Sequence, residues 1–77
     1  MTLNEDLLIS KEFGARVKNL RSSRGLSQKN LADITGLSRS YISGIEQGER
    51  NISLSNINKL ALGLNISLHE LFKGING

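Results

Sequence analysis

Apolar side chains recur along the chain at intervals of three and four residues, which is the period of one face of an α-helix. The first stripe comprises Phe13, Val17 and Leu20. Shorter stripes follow at Leu31 and Ile34, at Ile57, Leu60 and Ala61, and at Leu68, Leu71 and Phe72. With the end signals described next, these stripes predict five helices, at about residues 10–24, 28–35, 39–47, 54–62 and 68–73.

Glycine and serine separate the predicted helices in a regular way. Four glycines are each followed shortly by a serine, in the pairs Gly25 and Ser27, Gly36 and Ser38, Gly48 and Ser53, and Gly63 and Ser67. Glycine just past a helix end accepts the left-handed backbone conformation, and a serine side chain accepts a hydrogen bond from a free amide of the next helix. Each pair therefore predicts the end of one helix and the start of another.

Two positions show the spacing of a capping box, in which a glutamate follows a serine or threonine cap by three residues. Glu70 follows Ser67 in this way, which strengthens the start of the last helix. Thr2 and Glu5 have the same spacing near the N-terminus. The first helix therefore begins either there or at Ser10, after a separate turn, and the pattern leaves both starts open.

Composition supports an all-α fold. The 77 residues include no proline and only 4% aromatic residues, and the β-branched runs are short, which argues against a sheet of ordinary size. We expect a compact bundle of five short helices in a single domain that spans residues 1–77.

Several classes of protein are not expected. The longest apolar runs are three residues, so we expect no membrane span or signal peptide and a cytoplasmic location. The chain has no cysteine and a single histidine, His69, so we expect no disulfide framework, metal or cofactor. The sequence contains no nucleophile, base and orienting group at a spacing typical of a catalytic site, so we do not expect an enzyme.

The net charge of +3 is modest, but residues 11–24 carry five basic residues against one acid, Glu12. A basic helix is either a solvated face or a surface for an anionic partner, and charge alone does not decide between them.

The stretch "LSRSYISGIEQGERN", Leu37 to Asn51, predicts a helix with an unusually broad polar face. At about 100° per residue, Ile42 and Ile45 lie on one side, with Tyr41 at their edge. The opposite arc consists of Arg39, Ser40, Ser43 and Gln47. This helix has little to bury and many hydrogen-bonding groups to present.

The residues before it complete a recognisable arrangement. Ala32 is small where a following helix would cross closely, and Gly36 allows a sharp turn between the two. Two helices joined by about three residues that include a glycine form a helix-turn-helix, whose second helix enters the major groove of DNA.

On these residues, positions 10–73 resemble the helix-turn-helix domain of the phage repressor and Cro superfamily, the lambda repressor-like fold. The run "RSYISGIEQGERN" is similar to controller proteins of restriction-modification systems, small homodimers that regulate their own gene and that of the endonuclease. The resemblance implies a sequence-specific transcriptional regulator that binds a pseudo-palindromic operator in double-stranded DNA, including its own promoter. Three alternative functions stay open: a small phage-type repressor, an antitoxin that regulates its own operon, and a protein-binding module on the same scaffold.

The resemblance also implies residue roles. DNA contacts are expected from Gln28, Arg39, Ser40, Tyr41, Ser43, Gln47 and Arg50. Arg39 fits the position that reaches a guanine edge, although a pair with Glu46 is an alternative. Tyr41 either faces DNA or packs beside Ile45, and Gln28 fits a phosphate contact. Gly44 indicates a close approach by DNA or by a neighbouring loop.

Further roles are structural or concern partners. In the superfamily the positions of Arg21 and Glu46 form an ion pair between the first and third helices. The C-terminal third is rich in aliphatic residues, so we expect an isologous dimer interface from helices four and five, with Leu68, Leu71 and Phe72 as its centre. Activation would require a contact with RNA polymerase, for which Glu46 and Glu49 are candidates by position.

Overall fold

The computed structural model describes residues 3–75, with side chains from Asp6 to Ile75. Its helices, in chain order, are α1 (Leu3–Ser23), α2 (Gln28–Thr35), α3 (Arg39–Glu46), α4 (Leu54–Gly63) and α5 (Leu68–Leu71). No strand occurs among residues 3–75, so the prediction of an all-α bundle of five helices is confirmed. Within the same residues, no helix combines the length and apolar character needed to cross a bilayer.

Helix α1 begins at Leu3, ahead of Ser10, so the earlier of the two predicted starts is the correct one. The capping box expected from Thr2 and Glu5 lies outside the described residues. Helices α3 and α5 end at Glu46 and Leu71, slightly earlier than predicted, and α2 has the predicted bounds.

The four predicted serine caps are confirmed. Each side chain accepts a hydrogen bond from the amide three residues later, in the pairs Ser27 and Asn30, Ser38 and Tyr41, Ser53 and Asn56, and Ser67 and Glu70. An amide at the start of a helix has no partner within the helix, so these bonds fix where α2 to α5 begin.

The prediction that Gly63 lies just past the end of its helix, in the left-handed conformation, is wrong. Gly63 is the last residue of α4, and the left-handed turn after the helix is made by Asn65, with φ of 58°. Asparagine tolerates this conformation better than most residues. Gly63 is instead a packing position, because a Cβ there would lie 2.7 Å from Cγ2 of Thr35 on α2.

The predicted capping box at Ser67 forms only in part. The Glu70 amide donates to Ser67, but the Glu70 carboxylate lies 3.7 Å from the Arg16 guanidinium, which draws it toward α1. A full capping box forms instead at α2, where the Ser27 amide donates to the Asn30 side chain at 3.0 Å.

One hydrophobic core contains residues from all five helices. Its buried members are Phe13, Val17, Leu20, Leu31, Ala32, Ile42, Ile45, Ile57, Leu60, Ala61, Leu64 and Leu71. Three predicted stripe residues are not among its buried members, since Ile34 is 55%, Leu68 is 47% and Phe72 is 39% exposed. A stripe wider than the contact with neighbouring helices leaves its outer edge in water, which explains all three.

Much of the positive charge of α1, and that of Arg24 just after it, serves the fold. Arg16 donates to the carbonyl of Glu70 at 2.7 Å, and Arg24 donates to the carbonyl of Leu64 at 2.9 Å. Carbonyls near helix ends lack partners within the helix, so these arginines satisfy acceptors at the ends of α4 and α5. Two of the five basic residues in positions 11–24, Arg16 and Arg24, therefore serve contacts between helices.

Helix α1 crosses α3 at Gly14 with almost no space between the backbones. A Cβ at Gly14 would overlap the carbonyl oxygen of Ile45 and lie 2.8 Å from that of Glu46. The obstructing atoms belong to the backbone of α3 and cannot turn aside. This contact fixes the distance between the two helices.

We therefore expect Gly14→Ala to lower the free energy of unfolding by about 1 to 3 kcal/mol, the usual cost of overpacking. The higher helix propensity of alanine works in the opposite direction by about 1 kcal/mol. Urea denaturation followed by circular dichroism measures the change. Asn19→Ala, on the exposed side of α1, is the control and should shift stability by less than about 0.5 kcal/mol. A Gly14→Ala variant as stable as the parent would contradict the close crossing.

Candidate nucleic-acid interface

Helices α2 and α3 are joined by residues 36–38 and form a helix-turn-helix. Gly36 has φ of 78°, and its amide donates to the carbonyl of Ala32 at 2.9 Å, which closes α2. Leu31, Ile42 and Ile45 are almost fully buried behind the turn. The apolar back of α3 is therefore held against the core, and its polar side faces outward.

Arg39 and Ser40 occupy the first turn of α3 and are exposed. Among residues 3–75, Arg39 makes no hydrogen bond or ion pair. The alternative of a pair with Glu46 is wrong, because both Glu46 oxygens bond to other residues. Arg39 therefore presents all five of its N–H donors outward.

Ser43 and Gln47 lie one turn apart on the same side of α3. The Gln47 amide lies 3.0 Å from the Ser43 hydroxyl. In the orientation that satisfies both ends of the amide, its nitrogen donates to Glu49 at 3.1 and 3.2 Å and its oxygen accepts from Ser43. These three side chains form a polar chain along the last turn of α3 and the residues after it.

Tyr41 lies at the rim of α3 and is partly buried. Its ring packs against the core, and its hydroxyl accepts a hydrogen bond from Nδ2 of Asn56 on α4 at 3.1 Å. The guanidinium of Arg50 lies over the ring, 5.6 Å from its centroid, a distance at which a cation is attracted to the face of the ring. Of the two sequence alternatives, packing of the ring is present in the structure, and the contact of Tyr41 with DNA stays a prediction.

Gly44 makes room for Arg50. A Cβ at Gly44 would lie 2.8 Å from Cγ and 2.9 Å from Nε of Arg50. Of the two close approaches predicted for this glycine, the one by a neighbouring loop is present in the structure. Arg50 therefore lies across α3, with its stem over Gly44 and its charge over Tyr41.

The base of α3 is held by the ion pair of Arg21 and Glu46. Arg21 Nε donates to Glu46 Oε2 at 2.6 Å and Nη2 donates to Oε1 at 3.0 Å, a bidentate arrangement. The two side chains are only 12% and 3% exposed. The hydrogen bond with Glu46 raises the pKa of Arg21; burial opposes this, and the opposite charge adds to it. The arginine therefore stays charged throughout the physiological pH range.

Gln28 joins the same network. Its Nε2 donates to Glu46 Oε1 at 3.1 Å, so Glu46 at the end of α3 is bonded to residues of both α1 and α2. Glu46 is consequently unsuitable for the polymerase contact that its position suggested. Glu49, which is exposed, is the candidate that the structure leaves.

The expected dimer interface needs one correction. Leu71 is fully buried in the core, so its side chain is not available to a partner, whereas Leu68 and Phe72 are 47% and 39% exposed. The Phe72 ring also packs on Phe13, with centroids 5.4 Å apart. Other exposed apolar residues are Leu54 and Leu62 on α4, within the helices expected at the interface, and Leu7, Leu8 and Ile9 on α1, which sequence reasoning missed.

Asn56 is the residue near α3 that sequence reasoning missed. It lies fifteen positions after Tyr41, and no period or spacing links the two. Its local role, as the third residue after the Ser53 cap, was the only signal, and that signal concerns the start of α4.

We expect Glu46→Ala to lower the free energy of unfolding by about 3 to 5 kcal/mol, because it leaves the guanidinium of Arg21 buried without its partner. Urea denaturation measures the loss. Glu49→Ala, an exposed carboxylate three residues later, is the matched control and should change stability by no more than about 0.5 kcal/mol. Equal effects of the two substitutions would contradict a structural role for Glu46.

Comparison with known proteins places this geometry in a family. A family model described as helix-turn-helix matches residues 17–71. The control protein C.MunI of Mycoplasma sp is 47% identical over 64 residues, which cover 82% of this chain and 86% of that protein.

Two solved structures extend the comparison. The restriction-modification controller protein C.AhdI from Aeromonas hydrophila is 52% identical, with a TM-score of 0.80 over 82% of this chain and 96% of that one. The C.Esp1396I controller protein, described as a tetramer in complex with its natural 35 base-pair operator, is 30% identical, with a TM-score of 0.81 over 87% and 88% of the two chains. This chain therefore belongs to the helix-turn-helix family, and its relatives there include controller proteins of restriction-modification systems.

Proposed function

We propose that this protein is a sequence-specific DNA-binding transcriptional regulator of the restriction-modification controller type. The observation that carries the proposal is Arg39, which has no partner among residues 3–75 and lies on the first turn of an α3 helix that three other helices hold in place. The likeness to C.AhdI and to the operator-bound C.Esp1396I supports it.

Base reading is assigned to the start of α3. In the major groove, Arg39 donates two hydrogen bonds to O6 and N7 of a guanine, an interaction worth about 1 to 3 kcal/mol of discrimination. Ser40 and Ser43 are short, so α3 approaches the bases closely, and their hydroxyls contact bases or phosphates. Gln47 adds a polar group at the far end of the same face.

Phosphate contacts are assigned to both sides of α3. Gln28 is the first residue of α2, where helix amides favour an anion, and its amide keeps one free N–H while bonded to Glu46. Arg50 follows α3 and carries its charge above Tyr41, whose hydroxyl is also at the rim. These groups orient the domain on the duplex and do not themselves read sequence.

We propose that the protein acts as a homodimer on a pseudo-palindromic operator, including one at its own promoter. One α3 reads only a few base pairs, and a two-fold dimer places two such helices about 34 Å apart. Exposed apolar side chains on α4, on α5 and just after α5 support an interface there: Leu54, Leu62, Leu68 and Phe72. Such a regulator works in the cytoplasm, and the exposed Glu49 is our candidate for a contact with RNA polymerase.

Selection of bound sequences from a random duplex library tests the function. The parent protein should enrich a two-fold symmetric site and sediment as a dimer. Arg39→Ala should lose a guanine preference at one position of each half-site, by about 5- to 150-fold. Lys59→Ala, which removes an exposed charge from α4, is the control and should select the same site. A library with no enriched sequence would leave a protein-binding module as the better interpretation.

The Gly44→Ala substitution tests the proposed DNA contact of Arg50 without lowering the stability of the fold. The new methyl group displaces a flexible side chain, so the free energy of unfolding should stay unchanged or rise by up to about 1 kcal/mol. Operator binding should weaken, with the slope of log affinity against log salt reduced by about one unit per subunit. Fluorescence anisotropy across a salt series measures both.

The control for this substitution is the Arg50→Ala background. There Gly44→Ala should cost no further affinity, because the displaced side chain is already absent. A further loss in that background would show that the methyl group disturbs α3 itself.

A further inference from the structure

The hydroxyl of Tyr41 is held by a residue outside the helix-turn-helix. Asn56 lies in the first turn of α4, where its own amide is bonded to the Ser53 side chain at 3.1 Å. Its side-chain Nδ2 reaches the Tyr41 oxygen, also at 3.1 Å. The bond joins α3 to α4 at the rim of the proposed DNA surface, and both side chains are partly buried.

The direction of this hydrogen bond has a chemical consequence. The amide nitrogen of asparagine only donates, so the Tyr41 oxygen accepts and the hydroxyl proton is not used by Asn56. Among residues 3–75, the Tyr41 hydroxyl makes no other hydrogen bond. The proton is therefore available to an acceptor from outside the protein.

The ring is held in place, and this fixes the position of its hydroxyl oxygen. Tyr41 packs against the core, and the Arg50 guanidinium lies over its ring. A phosphodiester oxygen accepts hydrogen bonds and does not donate them, and the adjacent positive charge favours an anion. The hydroxyl and Arg50 together therefore match one DNA phosphate.

We propose that Asn56 is a positioning residue for DNA binding: by donating to the Tyr41 hydroxyl, it commits that hydroxyl to donate to a DNA phosphate oxygen beside Arg50. This inference rests on the proposed function, because it requires an operator. A purely structural bond between α3 and α4 would affect stability and leave the strength of the phosphate contact unchanged.

The test reverses the direction of the bond. Asn56→Asp has nearly the same shape, but its carboxylate accepts the Tyr41 proton and withdraws it from DNA. Asn58→Asp places the same charge on an exposed position of α4 and is the matched control. Each substitution is made in the parent and in a Tyr41→Phe background, and affinity for the selected operator is measured by fluorescence anisotropy.

In the parent, we expect Tyr41→Phe to weaken binding at least about tenfold, the order of a hydrogen bond to a charged group. Asn56→Asp should weaken it by a similar factor beyond the Asn58→Asp control. In the Tyr41→Phe background, the two aspartate variants should be equal. An Asn56→Asp effect that is the same in both backgrounds, or no larger than that of Asn58→Asp, would overturn the proposal.

A second readout identifies the acceptor. Operator duplexes that carry a single methylphosphonate, which removes the charge of one phosphate, are scanned along the site with the parent and with Tyr41→Phe. One position in each half-site should cost the parent affinity and cost the Tyr41→Phe variant much less. Equal costs for both proteins at every position would mean that the hydroxyl meets no phosphate and would also overturn the proposal.

Two further controls keep the outcomes separate. Urea denaturation shows whether each variant is folded, and Asn56→Ala, which removes the donor without adding an acceptor, replaces Asn56→Asp if that variant is not. With Asn56→Ala, the expected loss is smaller and again absent in the Tyr41→Phe background. A parent protein that selects no operator would contradict the proposed function, whereas a parent that binds without coupling between Asn56 and Tyr41 would contradict this inference alone.

Discussion

The orientation of α3 depends above all on the buried carboxylate of Glu46. It is bonded to Arg21 on α1 through both oxygens and to Gln28 on α2 through one of them, so the last residue of α3 is tied to both preceding helices. A charge that is only 3% exposed requires such partners, because removal from water without them is costly. Gly14 acts at the same place by letting the α1 backbone touch the end of α3. The ion pair of Glu46 and the close backbone contact at Gly14 thus act at the same place, the crossing of α1 and α3.

The arginines show why net charge says little about the surface of this protein. Arg16, Arg21 and Arg24 donate to carbonyls or to a carboxylate within the chain, and they stabilise the contacts of α1 with the rest of the bundle. Among the described residues, Arg39 has no partner, and Arg50 lies over an aromatic ring and is not paired with a carboxylate. The residues that carry the proposed DNA contact are therefore distinguished by their surroundings and not by their type.

Local signals in the sequence predict the helices well, and contacts between distant residues account for the failures. Serine caps act within three residues, so the starts of α2 to α5 were predictable. The Glu70 side chain was misjudged because its partner, Arg16, lies 54 residues away. Leu71 was misjudged because only the packed structure shows which edge of a short helix is buried. The polar face of α3 was predictable, but its tie to Asn56 was not.

The hydrogen bond between Asn56 on α4 and Tyr41 on α3 bears on what α2 and α3 can do without the rest of the protein. Arg39 lies at the free start of α3, so the base contact proposed for it requires only that α1 and α2 hold the helix at the right angle. Tyr41 and Arg50 require more, because the hydroxyl is held from α4 and the guanidinium reaches the ring only across Gly44. In the proposed mode of binding, base reading is therefore encoded within α3, whereas the phosphate contacts proposed for Tyr41 and Arg50 depend on α4 and on the residues that connect it to α3. If these contacts form as proposed, a change in α4 alters DNA binding without touching DNA.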